Sequence, residues 1–178
     1  LSRLLISFLN DDYQGLELVG DYRITNKLYV AAELGNEKNT KQEDLYNFTT
    51  SGSYIKLGVD YNTYGNWYGM NNSIHVGGRY AYSTFSQTLN NYQIFDTNRY
   101  WNDPDYQINP DPDAVNDFPW GSDVAQEFSG LNASWLEAVL GIKAELFANI
   151  YLGASVRIGF LVSNKEPDSF SNLWIPGF

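Results

Sequence analysis

The sequence predicts an all-β protein: an antiparallel up-and-down transmembrane β-barrel with eight strands in the intact protein and about six of them within these 178 residues. Three observations support this prediction. Six segments alternate apolar residues with other residues at a period of two, which is the side-chain period of a β-strand. The connections between these segments alternate between short and long. All the charged residues of the six segments lie at one set of alternate positions.

The six segments have the length of membrane-spanning strands. A tilted strand crosses a bilayer in roughly 9–11 residues, whereas a strand in a soluble sheet usually has about 5–6. The segments are 15–24, 27–36, 53–63, 73–85, 133–146 and 150–163. Aromatic residues with a polar edge suit a membrane–water boundary. Several lie near segment ends: Tyr22, Tyr61, Trp67, Tyr80, Tyr82 and Trp135.

The connections distinguish the two ends of the predicted barrel. They are tight at 25–26 and 147–149, moderate at 64–72, and long at 37–52 and 86–132. Short periplasmic turns and long outer loops are typical of outer-membrane barrels, which have even strand numbers and both termini on the periplasmic side. We therefore expect residues 164–178 to lie at the outer end. We also expect one strand before residue 1 and one after residue 178, so that 1–178 is a single domain truncated at both ends.

The two faces of the predicted strands differ in charge. One face, which includes Leu16, Leu57 and Leu140, is apolar and uncharged. The other carries six acids and six bases: Glu17, Asp21, Arg23, Lys27, Glu33, Lys56, Asp60, Arg79, Glu137, Lys143, Glu145 and Arg157. Burying an unpaired charge costs several kcal/mol. This balance therefore favours an interior of lumen ion pairs and an apolar face toward lipid.

A soluble barrel of the lipocalin type is the alternative to a membrane barrel. Its interior would be apolar, and the twelve charged residues would form an ordinary solvated exterior. The segment lengths, the aromatic positions and the equal numbers of acids and bases favour the membrane barrel. Because eight strands leave an interior just wide enough for side chains to fill, we expect a plugged polar lumen with no aqueous channel.

The composition argues against several functions. A net charge of −10 and the lack of a basic stripe argue against nucleic-acid binding. The single histidine, His75, shares a face with Arg79. The nearest serine in register, Ser83, is eight residues away, a separation of about 26 Å along a strand. A nucleophile and its base must be within hydrogen-bond reach, so we expect no enzyme activity, no catalytic residues and no cofactor.

The long connection 86–132 is strongly acidic. Eight acids and one base lie between Asp96 and Glu127. Carboxylate oxygens attract hard divalent cations, and four aspartates flank prolines that would stiffen their turns: Asp103, Asp105, Asp111 and Asp113. Their spacing does not fit an EF-hand, so the Ca²⁺ site is a secondary hypothesis. The simpler interpretation is a soluble acidic loop at the outer surface, where partner contacts usually lie.

Four runs of the sequence resemble a family of Bacteroidota outer-membrane β-barrel proteins known only as a domain of unknown function, with the small-barrel architecture of the OmpA and OmpX type. The runs are 12–22 (DYQGLELVGDY), 54–62 (YIKLGVDYN), 78–89 (GRYAYSTFSQTL) and 172–178 (NLWIPGF). The resemblance implies a barrel in the bacterial outer membrane, with a strand before the first run and another after the last. It implies no catalytic residues.

These inferences predict a non-enzymatic outer-membrane β-barrel in contact with membrane lipid. We expect it to act in envelope structure, in partner recognition through the outer loops 36–52 and 86–132, or as a subunit of an outer-membrane complex. The alternatives are a barrel that binds or transports a small ligand and a soluble lipocalin-like binding protein.

Overall fold

Seven β-strands account for the regular structure of the described part of the chain. A computed structural model describes residues 12–43, 45–64, 72–93, 121–122, 124–147, 150–167 and 170–178. The strands are β1 (Tyr13–Arg23), β2 (Leu28–Gln42), β3 (Tyr46–Asn62), β4 (Ser73–Gln93), β5 (Gly121–Ser122), β6 (Gln126–Phe147) and β7 (Ile150–Lys165). Within these ranges, no helix is long and apolar enough to cross a membrane.

All the strands belong to one antiparallel sheet. Six of them follow one another in the order β1-β2-β3-β4-β6-β7, and the short β5 pairs with one end of β4. This order confirms the predicted all-β, up-and-down arrangement. In the part of the chain that the structure describes, β1 and β7 are the two edges of the sheet.

The sheet is strongly curved. Arg157 on β7 donates a hydrogen bond of 2.7 Å to Glu33 on β2, and Lys143 on β6 lies 3.7 Å from Asp21 on β1. Four strand spacings separate the members of each pair along the sheet, a distance of about 19 Å if the sheet were flat. Only a curled sheet brings these side chains into contact, and its concave side is the face that carries the charged residues.

The strands extend further at one end than the apolar alternation predicted. β2 continues to Gln42 and β3 begins at Tyr46, while β4 continues to Gln93 and β6 begins at Gln126. The predicted loops 36–52 and 86–132 are therefore wrong at their margins. A ladder of backbone hydrogen bonds needs no apolar side chains. Polar residues (Glu37, Asn39, Thr50 and Gln87) share the buried positions of these extensions with apolar ones (Phe48, Leu89 and Leu131) and interrupt the apolar alternation.

Burial alternates along β2, β3, β4 and β6 and separates an inner face from an outer face, whereas the edge strand β7 is exposed at nearly every position. On the inner face, Tyr54, Ala81 and Trp135 form one buried apolar cluster. A second cluster consists of Phe85, Leu131 and Ala133. The hydrophobic core is thus small and lies on the concave side, because charged residues occupy much of the remaining inner face.

The outer face carries a wide apolar band with a common border. Leu57, Leu140 and Val156 lie within the band and are 52%, 56% and 67% exposed. The last apolar row consists of the paired residues Leu34, Ile55 and Tyr82, and the first polar row of Asn36, Ser53 and Thr84. Because the border falls at the same level on three strands, the band is a property of the sheet rather than of single strands.

The chain turns back after β7, and residues 170–178 lie against the inner face. Ile175 packs on both buried clusters, and Pro176 and Gly177 are buried. The amides of Leu173 and Gly177 bond Gln87 and Glu37, toward the end of the sheet at which 164–178 was expected, but no sequence pattern predicted that the segment packs on the inner face. Its apolar residues find a buried surface only on the concave side of the sheet, around Tyr54 and Trp135.

Two strand glycines offer a test of this packing. A Cβ at Gly35 would overlap the ring of Tyr54, whereas a Cβ at Gly20 meets open space. We expect Gly35→Ala to lower the free energy of unfolding by about 1–3 kcal/mol, because the ring must move away. Gly20→Ala should be neutral or stabilising, by up to about 1 kcal/mol, because alanine loses less backbone entropy in a strand. Denaturant unfolding of the purified variants measures both, and equal losses would contradict the packing of Tyr54 on Gly35.

Candidate functional site

An ion network centred on Glu33 occupies the middle of the inner face. Glu33 is 0% exposed, and its two carboxylate oxygens accept hydrogen bonds from Arg157 Nη1 at 2.7 Å and from Arg79 Nε at 3.4 Å. Arg79 also donates two bonds to Asp60, at 2.8 and 2.7 Å. A bidentate arginine–carboxylate pair is among the strongest and most directional side-chain interactions. The network therefore ties β2, β3, β4 and β7 together.

A second group of charges lies beside this network. Lys56 Nζ donates to Glu137 Oε1 at 2.6 Å, and both side chains are at most 5% exposed. The indole of Trp135 donates to the same carboxylate oxygen at 2.7 Å. Arg157 connects the two groups, since its Nη1 lies 3.5 Å from Glu137 Oε2. The ammonium of Lys56 makes a further bond of 2.7 Å to the carbonyl oxygen of Gly177.

Six of the twelve residues predicted as lumen ion pairs form this network: Glu33, Lys56, Asp60, Arg79, Glu137 and Arg157. Of the other six, Glu17 interacts electrostatically with Arg157, and five lie toward the end of the sheet that carries the β1–β2 turn (the turn end). Asp21 and Lys143 form a partly exposed bridge at the turn end of the sheet, and Arg23 and Lys27 are exposed there. Lys27 lies in the turn between β1 and β2 rather than in a strand. The two remaining residues are Glu17, which accepts a hydrogen bond from the Tyr54 hydroxyl, and the partly buried Glu145.

The inner face also lines two partly open cavities of about 540 Å³ each. The first lies beside Lys56 and Glu137 and is bounded by Gly177 and Phe178. The second lies at the turn end, where Asp21 and Lys143 are among its lining residues. The sequence predicted a space filled by paired side chains. In the described part of the chain, pairing of the charges leaves room on both sides of the network.

His75 and Ser83 are far apart on the inner side of β4. His75 lines the turn-end cavity and lies against Gly141, where an added Cβ would overlap its ring. Ser83 is 0% exposed, and its hydroxyl donates to the Ser53 carbonyl at 3.3 Å. Since eight residues separate them on one strand, they do not form a nucleophile–base pair.

The calcium hypothesis concerns residues that the structure leaves undescribed. Asp103, Asp105, Asp111 and Asp113 lie outside the described residues, so their proposed role stays a prediction. Within the described ranges, no group of three His, Cys, Asp or Glu residues is placed to hold a metal ion.

Sequence reasoning missed the uncharged members of the site. The sequence predicts Trp135 at a membrane boundary, but the residue is 0% exposed on the inner face, beside Lys56 and Glu137. Its position two residues before Glu137 places it on the charged face and could have revealed this. Tyr54 has the same signal, because it lies two residues before Lys56. Gly177 has none, because its contacts depend on where segment 170–178 returns. Trp67 lies outside the described residues.

The fold and the site define an all-β chain whose single curled sheet pairs its buried charges on the concave face. The chain belongs to the family described as Domain of unknown function (DUF6048), whose model matches residues 1–178. No curated protein and no solved structure matches it.

Neutralising one carboxylate tests the importance of the network. We expect Asp60→Asn to lower the free energy of unfolding by about 3–5 kcal/mol, because it removes the bidentate partner of the buried Arg79. Glu43→Gln makes the same chemical change at a solvent-exposed pair with Lys41, and it should cost less than about 1 kcal/mol. Denaturant unfolding measures both, and a loss at Asp60 no larger than at Glu43 would contradict a buried network.

Proposed function

We propose that this chain is a bacterial outer-membrane β-barrel protein without enzymatic activity. It has a polar interior held by ion pairs and acts in envelope structure, in recognition of a partner or as a subunit of an outer-membrane complex. One observation carries the proposal: at the level of the apolar band the strand charges lie on the concave inner face, where six of them form a buried ion network, while the band covers the exposed outer face.

The outer face is unsuited to water. Soluble monomers rarely expose a continuous apolar patch of more than a few hundred Å². Here large apolar side chains are exposed on all six long strands, among them Leu18, Leu34, Leu57, Val76, Leu140 and Val156. A lipid environment satisfies this surface. It also accounts for the position of the strand charges at the level of the band, which lie on the inner face in the described residues, since charged residues on a lipid-facing surface are destabilising.

The dimensions of the band fit a bilayer. On β6 the apolar outer positions run from Leu136 to Leu146, about 33 Å along the strand. At a tilt of about 45°, this corresponds to a height of about 23 Å, close to the apolar band of about 25 Å on outer-membrane barrels. Exposed tyrosines lie near both borders, Tyr22 and Tyr61 at the turn end and Tyr82 at the other, as in the aromatic belts of membrane proteins.

Completion of the sheet into a barrel is part of the proposal. An open sheet edge is not viable within hydrocarbon, because its backbone groups lack hydrogen-bond partners. The contacts of Arg157 with Glu33 and of Lys143 with Asp21 draw the two halves of the sheet toward each other. Two further strands between β1 and β7 would bring the six long strands of the sheet to eight. The resemblance to Bacteroidota outer-membrane barrels supports the same arrangement.

The inner face argues against a soluble lipocalin-like protein but is compatible with the binding of a small ligand. A soluble lipocalin-like protein needs an apolar interior, whereas Glu33 and Lys56 are 0% and 2% exposed here. Binding of a small ligand is the second candidate function, because each of the two cavities has about 540 Å³, within the usual range of about 300–1,000 Å³ for small-ligand sites. Native mass spectrometry of the protein extracted from membranes tests it, since a bound ligand adds a discrete mass.

Cell fractionation and gel electrophoresis test the main proposal. We expect the protein in the outer-membrane fraction, and we expect unheated and heated samples to migrate differently, because a folded barrel resists detergent. Recovery in the soluble fraction without detergent would contradict the membrane location. Hydrolysis of lipid by the purified protein that is lost in His75→Ala would contradict the absence of enzymatic activity.

The lipid contact predicts opposite outcomes for two arginine substitutions on the outer face. Leu140→Arg, in the middle of the apolar run of β6, should cost about 2–4 kcal/mol, whereas Thr84→Arg, in the first polar row, should cost at most about 1 kcal/mol. Denaturant unfolding from phospholipid vesicles measures the difference. If the outer face were in water, Leu140→Arg would also be nearly neutral, and the proposed membrane location would be wrong.

A further inference from the structure

Part of the inner face, which we call the inner wall, carries Glu37, Lys56 and Gln87 and binds the backbone of residues 173–177. The Leu173 amide donates to Gln87 Oε1 at 2.9 Å, and the Gly177 amide donates to Glu37 Oε2 at 3.1 Å. Lys56 Nζ donates to the Gly177 carbonyl at 2.7 Å. The three wall residues lie on β4, β2 and β3 and are each at most 2% exposed. Buried polar side chains require hydrogen-bond partners, and this peptide backbone supplies one to each.

The wall also fits the side chains of the segment. Ile175 packs on both apolar clusters of the inner face. The ring of Phe178 meets the ring of Trp135 edge to face, with 5.5 Å between the ring centroids. Apolar and aromatic contacts therefore lie on either side of the backbone bonds at Gly177.

Gly177 is the residue that the wall selects most strictly. Its φ of +87° is in the region that favours glycine. A Cβ would also lie 2.6 Å from the Tyr54 ring. The adjacent Pro176 is buried as well. The wall thus selects a proline–glycine pair, with an apolar residue before it and an aromatic residue after it.

We propose that the inner wall is a binding site for a peptide turn of the pattern apolar–Pro–Gly–aromatic, closed by a hydrogen bond of 3.2 Å from the Phe178 amide to the Ile175 carbonyl, and that the chain's own residues 173–178 occupy it as a plug. The plug covers the apolar wall around Ala81 and bounds the cavity beside Lys56 and Glu137. Because Lys56 bonds both Gly177 and Glu137, release of the plug also changes the surroundings of the ion network. The binding site does not rest on the proposed membrane location, because its contacts all lie within the chain.

Cysteine labelling of the full chain tests the plug, because the protein has no cysteine of its own. Ala81→Cys places a thiol beneath Ile175, at a position that is 0% exposed. Ala31→Cys is the matched control. It is also an inner-face alanine and is 2% exposed, but it lines the turn-end cavity away from the plug. A water-soluble maleimide should label both thiols slowly in the folded protein.

Gly177→Val is then added to each reporter to release the plug. We expect the labelling rate of the thiol at position 81 to rise at least about tenfold, equivalent to local opening that is easier by about 1.4 kcal/mol, while the rate at position 31 stays unchanged. An unchanged rate at position 81 would overturn the proposal, because the segment would not be the cover. An equal rise at both thiols would also overturn it, because the whole sheet would have loosened.

Gln87→Leu provides a second release that leaves the segment itself intact. It removes the acceptor for the Leu173 amide and should increase the labelling of the thiol at position 81 in the same direction. If Gly177→Val does not fold, this variant decides the outcome by the same criteria. The result is separable from the proposed function: a protein found outside membranes can still show the protection of that thiol, and a membrane barrel can lack it.

Discussion

The ion pairs of Glu33 are the interaction on which the rest of the structure depends, because a carboxylate with no solvent exposure is costly unless it is paired and hydrogen-bonded. Its partners, Arg79 and Arg157, come from β4 and β7, and the second cannot reach it across a flat sheet. Satisfying this one group therefore requires the sheet to curl. Asp60 also pairs with Arg79, and Glu137 also pairs with Arg157. The curvature of the sheet and the pairing of its charges therefore depend on each other.

The curvature of the sheet around its paired charges determines which residues form the outer face. Once the charged side chains of the strands are on the concave side, the convex side consists of residues such as Leu57, Leu140 and Val156, which are more than half exposed. The border row of Asn36, Ser53 and Thr84 limits this surface at a common level. The proposed membrane location rests on this apolar band with its polar border.

The inner space is more structured than a simple set of ion pairs. The network of Glu33, Arg79 and Arg157 separates two cavities, and segment 170–178 bounds one of them. Lys56 connects these parts, since it contacts the network through Glu137 and the segment through Gly177. The position of the segment and the state of the charges are therefore coupled by one side chain.

An antiparallel up-and-down sheet, and the residues that share each of its faces, could be predicted from the sequence alone, because a period of two depends only on near neighbours. The sequence did not determine that β2 extends to Gln42 and β4 to Gln93, because polar residues such as Thr50 and Gln87 give no apolar alternation to follow. Only the tertiary structure decided that Arg157 meets Glu33 and that Gly177 meets Lys56. These contacts join residues 121 or more positions apart, and they depend on the curvature of the whole sheet, which no local pattern encodes.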